Sequence, residues 1–245
     1  MNSRNKLLKR MEEFLRCRLA ELHPGRTSNR LYDRPSIMIS RQAGARGLEV
    51  AKELADYLDQ FDETAEHGWA TIDQGLLAHV IEDQLLPDIS QEYLVPQIAE
   101  KEPHDVVASM RQTPRSEWTL FQHSADAIRR LCRLGNVIIL GRGANFLTQD
   151  LQNAFHVRLV GDPETRARAV ASEHALDLEK AADYMRSLDG ARAQYVRRHL
   201  DRDIADGSSY HLTINISRLD PCTSARIIGD SVIEWAGARL LPMSA

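Results

Sequence analysis

Five short apolar runs, set apart by longer stretches of helical periodicity, constrain this chain more than any other feature. They cover residues 36–40 (Ser-Ile-Met-Ile-Ser), 69–72 (Trp-Ala-Thr-Ile), 136–140 (Asn-Val-Ile-Ile-Leu), 155–160 (Phe-His-Val-Arg-Leu-Val) and 212–216 (Leu-Thr-Ile-Asn-Ile). Each has the length of a buried strand and is too short for a buried helix. Strands alternating with helices imply a mostly parallel sheet covered on both faces, since parallel neighbours need a crossover connection. Ligands of such sheets gather at the carboxyl ends of the strands. Function is therefore sought in the loops that follow them.

The periodic segments supply the covering helices. Val50, Ala51, Leu54, Ala55 and Leu58 recur at spacings of three and four, which predicts one inward face. A closing helix over residues 223–240 is expected to turn Ile227, Ile228, Val232 and Trp235 inward. Residues 73–135 are too many for a plain crossover. They read as a helical insertion (Leu76, Leu77, Val80, Ile81; Leu120, Ala127, Ile128, Leu131), with kinks near Pro87, Pro96, Pro103 and Pro114. A break at residues 23–29 (His-Pro-Gly-Arg-Thr-Ser-Asn) separates a first helix from the main domain. The expected organisation is an N-terminal amphipathic helix and linker (1–34) and a main domain (35–245), with the insertion at 73–135.

Charge is uneven. Residues 1–34 hold nine Lys/Arg against four Asp/Glu in a chain whose formal net charge is −4. Leu7, Met11, Leu15 and Leu19, widened by Leu8 and Phe14, give this basic segment an apolar stripe. A stripe of that kind packs on its own domain or on a second subunit, so a homodimer through this helix is one expectation. Nucleic acid is not the expected partner, for the segment is single and carries no aromatic platform. No window is apolar enough for a membrane span, and the opening residues lack the apolar core of a secretory signal. Three distant cysteines, Cys17, Cys132 and Cys222, exclude a disulfide framework and fit a reducing cytoplasm. The histidines show neither H-x-x-x-H nor H-E-x-x-H spacing, so no metal site is expected. G-x-S-x-G and G-x-G-x-x-G are both absent, which excludes a nucleophile elbow and a dinucleotide fingerprint.

The loop at residues 41–49 carries the chemistry. It lies between a predicted strand and a predicted helix, where backbone amides and the helix dipole favour a phosphate. Gly44 and Gly47 permit the close approach of main chain to an anion, although any tight strand-to-helix turn would use glycines too. The candidate nucleotide-binding set is Arg41, Gly44, Ala45, Arg46, Gly47, Leu48 and Glu49.

Ile-Ser-Arg-Gln-x-Gly-x-x-Gly followed by Val-Ala-Lys-Glu-Leu-Ala resembles the opening of the cytidylate kinase-like family of P-loop proteins. Further matches follow in order: Ile72-Asp73-Gln74-Gly75, Leu140-Gly141-Arg142-Gly143, Val157-Arg158-Leu159-Val160, Asp189-x-x-Arg192, and Tyr210 through Asn215. The resemblance runs from about residue 36 to 235. It implies a three-layer α/β/α fold with a five-stranded parallel sheet, a nucleotide-binding insertion and a lid at about 177–206. It also implies ATP γ-phosphoryl transfer to a nucleoside monophosphate or related small acceptor, with magnesium. The resemblance marks Asp73, Arg142, Asp189 and Arg192 as acceptor-binding residues.

Several residues depart from an active kinase. Laid onto the loop, the Walker lysine falls on Gly47, and Leu48-Glu49 replace the small residue and hydroxyl. Gly143 stands where the family has an Asp. Arg46 or Arg41 could supply the missing cation, and lid arginines could close over transferring phosphates. A helix beginning at Asp189 would set Arg192, Tyr195, Arg198 and Arg202 on one face, with Leu188, Val196, Leu200 and Ile204 beside it. The expected catalytic cations are Arg46, Arg192 and Arg198. Two function classes stay open. One is a phosphotransferase; the other is a catalytically inactive regulatory protein of the same fold that binds a nucleotide or another phosphorylated small molecule.

Overall fold

The computed structural model describes residues 3–21, 34–63, 65–82, 85–86 and 117–240. All five expected strands form: β1 (Ser36–Arg41), β2 (Ala70–Ile72), β3 (Val137–Leu140), β4 (Ala154–Val160) and β5 (Leu212–Asn215). They pair in the order β2-β3-β1-β4-β5, every pair parallel. Ile39 sits opposite Leu140 on one side and Val157 on the other. The helices are α1 (Ser3–Ala20), α2 (Gly47–Phe61), α3 (Gln74–Glu82), α4 (Glu117–Leu134), α5 (Ala144–Leu147), α6 (Pro163–His174), α7 (Leu178–Leu200) and α8 (Pro221–Leu240). The four expected kink prolines, Pro87, Pro96, Pro103 and Pro114, lie outside the described residues.

Alternation along each strand feeds two cores. Ile37, Ile39, Ile138, Leu140, Phe155, Val157 and Leu159 point to one side, where α2 supplies Val50, Ala51, Leu54, Ala55 and Leu58 and α8 supplies Ile228 and Val232. Burying a leucine such as Leu54 stabilises by about 1.5–3 kcal/mol. The two helices approach closely because α8 has Gly229 where a Cβ would collide with the Tyr57 ring. Asp220 starts α8 by accepting from the amide (2.9 Å) and hydroxyl (2.8 Å) of Thr223. Ile227 does not face inward as expected. It is 37% exposed, because Ala225, Ile228 and Val232 form the buried stripe.

The opposite core joins Met38, Val137 and Ile139 to α3, α4 and α1. Leu76, Leu77 and Val80 of α3 and Ala127, Ile128 and Leu131 of α4 are buried as predicted, whereas Leu120 is exposed near the start of α4. Helix α1 packs on its own domain. Met11, Phe14 and Leu15 are buried among Ile72, Leu76 and Leu131, and Arg10 pairs with Asp56 and Asp59. Arg18, itself buried, donates to the Leu134 carbonyl.

The helix expected to begin at Asp189 starts eleven residues earlier, at Leu178. Asp177 caps it by accepting from Lys180 N at 2.8 Å, and no proline interrupts the run that follows. It stops at Leu200 because Asp201 takes a left-handed conformation (φ 51°). Arg202 and Ile204 therefore lie beyond the helix and off the face expected for them. Helices α6 and α7 share a small core, Ala167, Val170, Ala181 and Met185, which also holds Ala43 of the loop after β1.

Candidate functional site

At the carboxyl edge of the sheet, the loop after β1 is gripped from outside. The Ala43 amide donates to Asp189 Oδ1 at 2.7 Å, and the Ala43 carbonyl accepts from Arg166 Nη1 at 3.1 Å. Arg166 also donates to Asp189 Oδ2 (2.7 Å) and to the Gly161 carbonyl (2.9 Å). The backbone of one residue is thus held at both its N–H and its C=O by a part-buried ion pair. Gly44, at φ 72°, is required here, because a Cβ would collide with the Arg166 carbonyl.

Within the loop, Arg46 takes a left-handed conformation (φ 48°) at the N-cap of α2 and makes no side-chain cap. The first-turn amides of Gly47, Leu48 and Glu49 are left open at the positive end of the helix. Ala45 is fully buried and shapes the turn. The Arg46 side chain leans back to pair with Glu49, both about half exposed, and Leu48 is 37% exposed.

Arg41 lies beside the first residue of α2. Its stem lies 2.9 Å from where a Cβ on Gly47 would be, and its guanidinium fills the space beside Gly141 after β3. A side chain at residue 47 would enter the room Arg41 takes. Burial, and next the charge of Arg192, hold the Arg41 pKa down to about 10, with Asp73 pulling the other way. Asp73 caps α3 by accepting from Leu76 N at 2.9 Å. Its Oδ2 has no hydrogen-bond partner among the described residues.

Helix α7 contributes Arg192, whose Nη1 donates to the Arg41 carbonyl at 3.3 Å and lies 3.7 Å from Asp189 Oδ1. Burial lowers its pKa, with Asp189 opposing and Arg158 adding to the shift. Arg142 (φ 56°) follows β3 and sets its guanidinium carbon 5.7 Å from the Tyr195 ring of α7. Tyr195, His199 and Phe121 join α7 to α4 as an aromatic cluster with Trp118 at its open end. Arg198 is exposed near the end of α7.

The structure therefore brings together the loop, Arg41, Arg192 and Asp73, with Arg142 at the next strand end. It leaves Arg46 and Arg198 outward. Asp189 spends both oxygens on Arg166 and the loop. Two residues escaped the sequence reading. Arg158 could have been noticed as a charge inside an apolar strand, whereas nothing in the periodicity of α6 distinguishes Arg166.

A parallel sheet with β1 between β3 and β4, a glycine loop opening α2, and the helix pair α6 and α7 packed on that loop define a kinase-like α/β fold. The chain belongs to the cytidylate kinase-like family, whose model matches residues 36–218. Among solved structures, an uncharacterized protein from Eubacterium ventriosum superposes with a TM-score of 0.62 at 21% identity, covering 82% of this chain and 99% of that one. A shikimate kinase from Bacteroides thetaiotaomicron superposes more loosely, with a TM-score of 0.47 and 15% identity over 81% of this chain and 98% of that one. No curated protein sequence matches the chain. Among the described residues no helix is long and apolar enough to cross a membrane.

Proposed function

We propose that the chain transfers the γ-phosphoryl group of ATP to a small acceptor, a nucleoside monophosphate or a related molecule. The observation that carries this reading is Arg41. It is a desolvated cation with no ion-pair partner among the described residues, set between the open amides of α2 and the loop after β3. Phosphoryl transfer needs positive charge around the moving group more than it needs a nucleophile. Arg41 supplies that charge from the strand end, where Gly47 leaves space for it, and Arg192 adds a second cation from the lid.

The amides of Gly47, Leu48 and Glu49 would bind the phosphate chain, and Arg41 and Arg192 would neutralise charge on the transferring group. Arg142, on its aromatic shelf, would orient the acceptor. Arg166 and Asp189 hold the loop in shape. Bound magnesium would supply further charge neutralisation on the phosphates. Leu48 offers it no oxygen, and Asp73 is the residue placed to hold it through Oδ2. Closure of α6 and α7 would exclude water.

A coupled assay of ADP release from ATP against a panel of nucleoside monophosphates tests this directly. Turnover with at least one acceptor is expected; none with any acceptor overturns the reading. Leu48, Gly143 and the Arg46–Glu49 pair favour the second reading, an inactive protein that binds a nucleotide or phosphorylated ligand for regulation. That reading predicts thermal stabilisation by ATP with no ADP release, and turnover excludes it.

A further inference from the structure

Arg158 is the least expected charge in the molecule. It lies inside β4, flanked by Val157 and Leu159, and is 8% exposed. Ser40, its neighbour across the ladder, accepts from Nη1 at 2.6 Å. The guanidinium carbon is 5.9 Å from the Tyr210 ring, and Tyr210 is pinned by donating to the Ile204 carbonyl at 2.9 Å. Among the described residues no carboxylate lies within ion-pair distance of Arg158.

The surroundings sharpen the anomaly. The charge that Arg158 shifts is that of Arg192, of the same sign. His156, two residues earlier on the same face, provides no counter-charge. Thr148 Oγ1 donates to the Ala144 carbonyl at 2.7 Å, so its 3.0 Å contact with His156 Nε2 must be donated by the histidine. A buried cation without a counter-ion costs several kcal/mol. Guanidinium carries five N–H donors, and one is spent on Ser40. The guanidinium donors that remain, with the hydroxyl proton of Ser40, make a place for an anion, and the Tyr210 face steadies the cation that would bind it.

We propose that Arg158 and Ser40, with Tyr210 steadying the guanidinium, form a second anion subsite beside the loop after β1, for an oxyanion group on the acceptor. This inference rests on the phosphotransferase reading only in assigning the oxyanion to an acceptor. A phosphate and a carboxylate share the chemistry required.

Titration calorimetry on the full chain decides it. Orthophosphate is titrated into protein saturated with ADP, with acetate in a parallel series to distinguish a carboxylate from a phosphate. Arg158→Met is expected to weaken phosphate binding at least tenfold and to leave ADP affinity within about twofold. Equal phosphate affinities in parent and variant overturn the subsite. If that variant does not fold, Arg158→Lys keeps the charge and loses the fork; a several-fold loss of phosphate affinity is expected, and no loss overturns the proposal. Should ADP not bind at all, the phosphotransferase reading fails. The same comparison with phosphate alone, on an Arg41→Gln background, then still decides for or against Arg158.

Discussion

The two faces of the central sheet are built from alternate residues of the same strands, yet they bury different things. Toward α2 and α8, the interiors of β1, β3 and β4 present hydrocarbon, Ile37, Ile39, Ile138, Leu140, Phe155, Val157 and Leu159, with Arg41 following at the end of β1, its stem against Gly47 of α2. On the opposite face, Met38, Val137 and Ile139 meet α1, α3 and α4, but Ser36, Ser40, His156 and Arg158 are buried there too. The polar residues concentrate on β1 and β4, where α5 and the segment around Tyr210 form the cover. One face holds the fold together. The other also buries polar groups, and it does so beside the candidate site.

Four measurements can break or sharpen that contrast. The largest effect belongs to the apolar face: Leu54→Ala should cost about 2–5 kcal/mol in urea unfolding, without altering ADP affinity in the folded protein. A changed affinity would mean that the two faces are not independent. Next, Arg41→Gln should lower turnover about 10²- to 10³-fold while the denaturant midpoint stays level or rises. A fall in stability comparable with that of Leu54→Ala would make Arg41 a structural cation.

His156 gives the polar face a pH signature. Burial first, and the charge of His211 second, lower its pKa from 6.5 to about 4. Between those values the unfolded chain binds the extra proton, so this contribution is complete above pH 6.5 and is lost as pH falls toward 4. The gap is worth about 3 kcal/mol. Urea midpoints at pH 7 and pH 5 should separate less in His156→Gln than in the parent, and equal separations would remove His156 as the cause. The smallest effect is expected at the exposed Arg46–Glu49 pair. Arg46→Ala should change stability by less than about 1 kcal/mol and turnover far less than Arg41→Gln does. A comparable loss of turnover would give the leading role back to Arg46.

The strands and their parallel arrangement were legible because short apolar runs have few other uses. The inward faces of α2, α3 and α4 followed from spacing, apart from Leu120 at a helix start. Ile227 misled because Gly229, packed on Tyr57, fixes the rotation of α8, and a glycine carries no hydrophobic signal. In the site, the loop could be read but its wiring could not. Asp189 meets Ala43 across 146 positions of sequence, and Arg41 reaches Gly141 across 100. The first of these contacts forms only once α6 and α7 pack on the loop after β1.

Helix α1 lies outside the stretch that the family model recognises, yet Met11, Phe14 and Leu15 complete the core around Ile72 and Leu131. A fragment cut at residue 36 would begin where the family begins and leave that greasy surface bare to water. Clumping in the test tube, rather than a tidier enzyme, is what such trimming should yield.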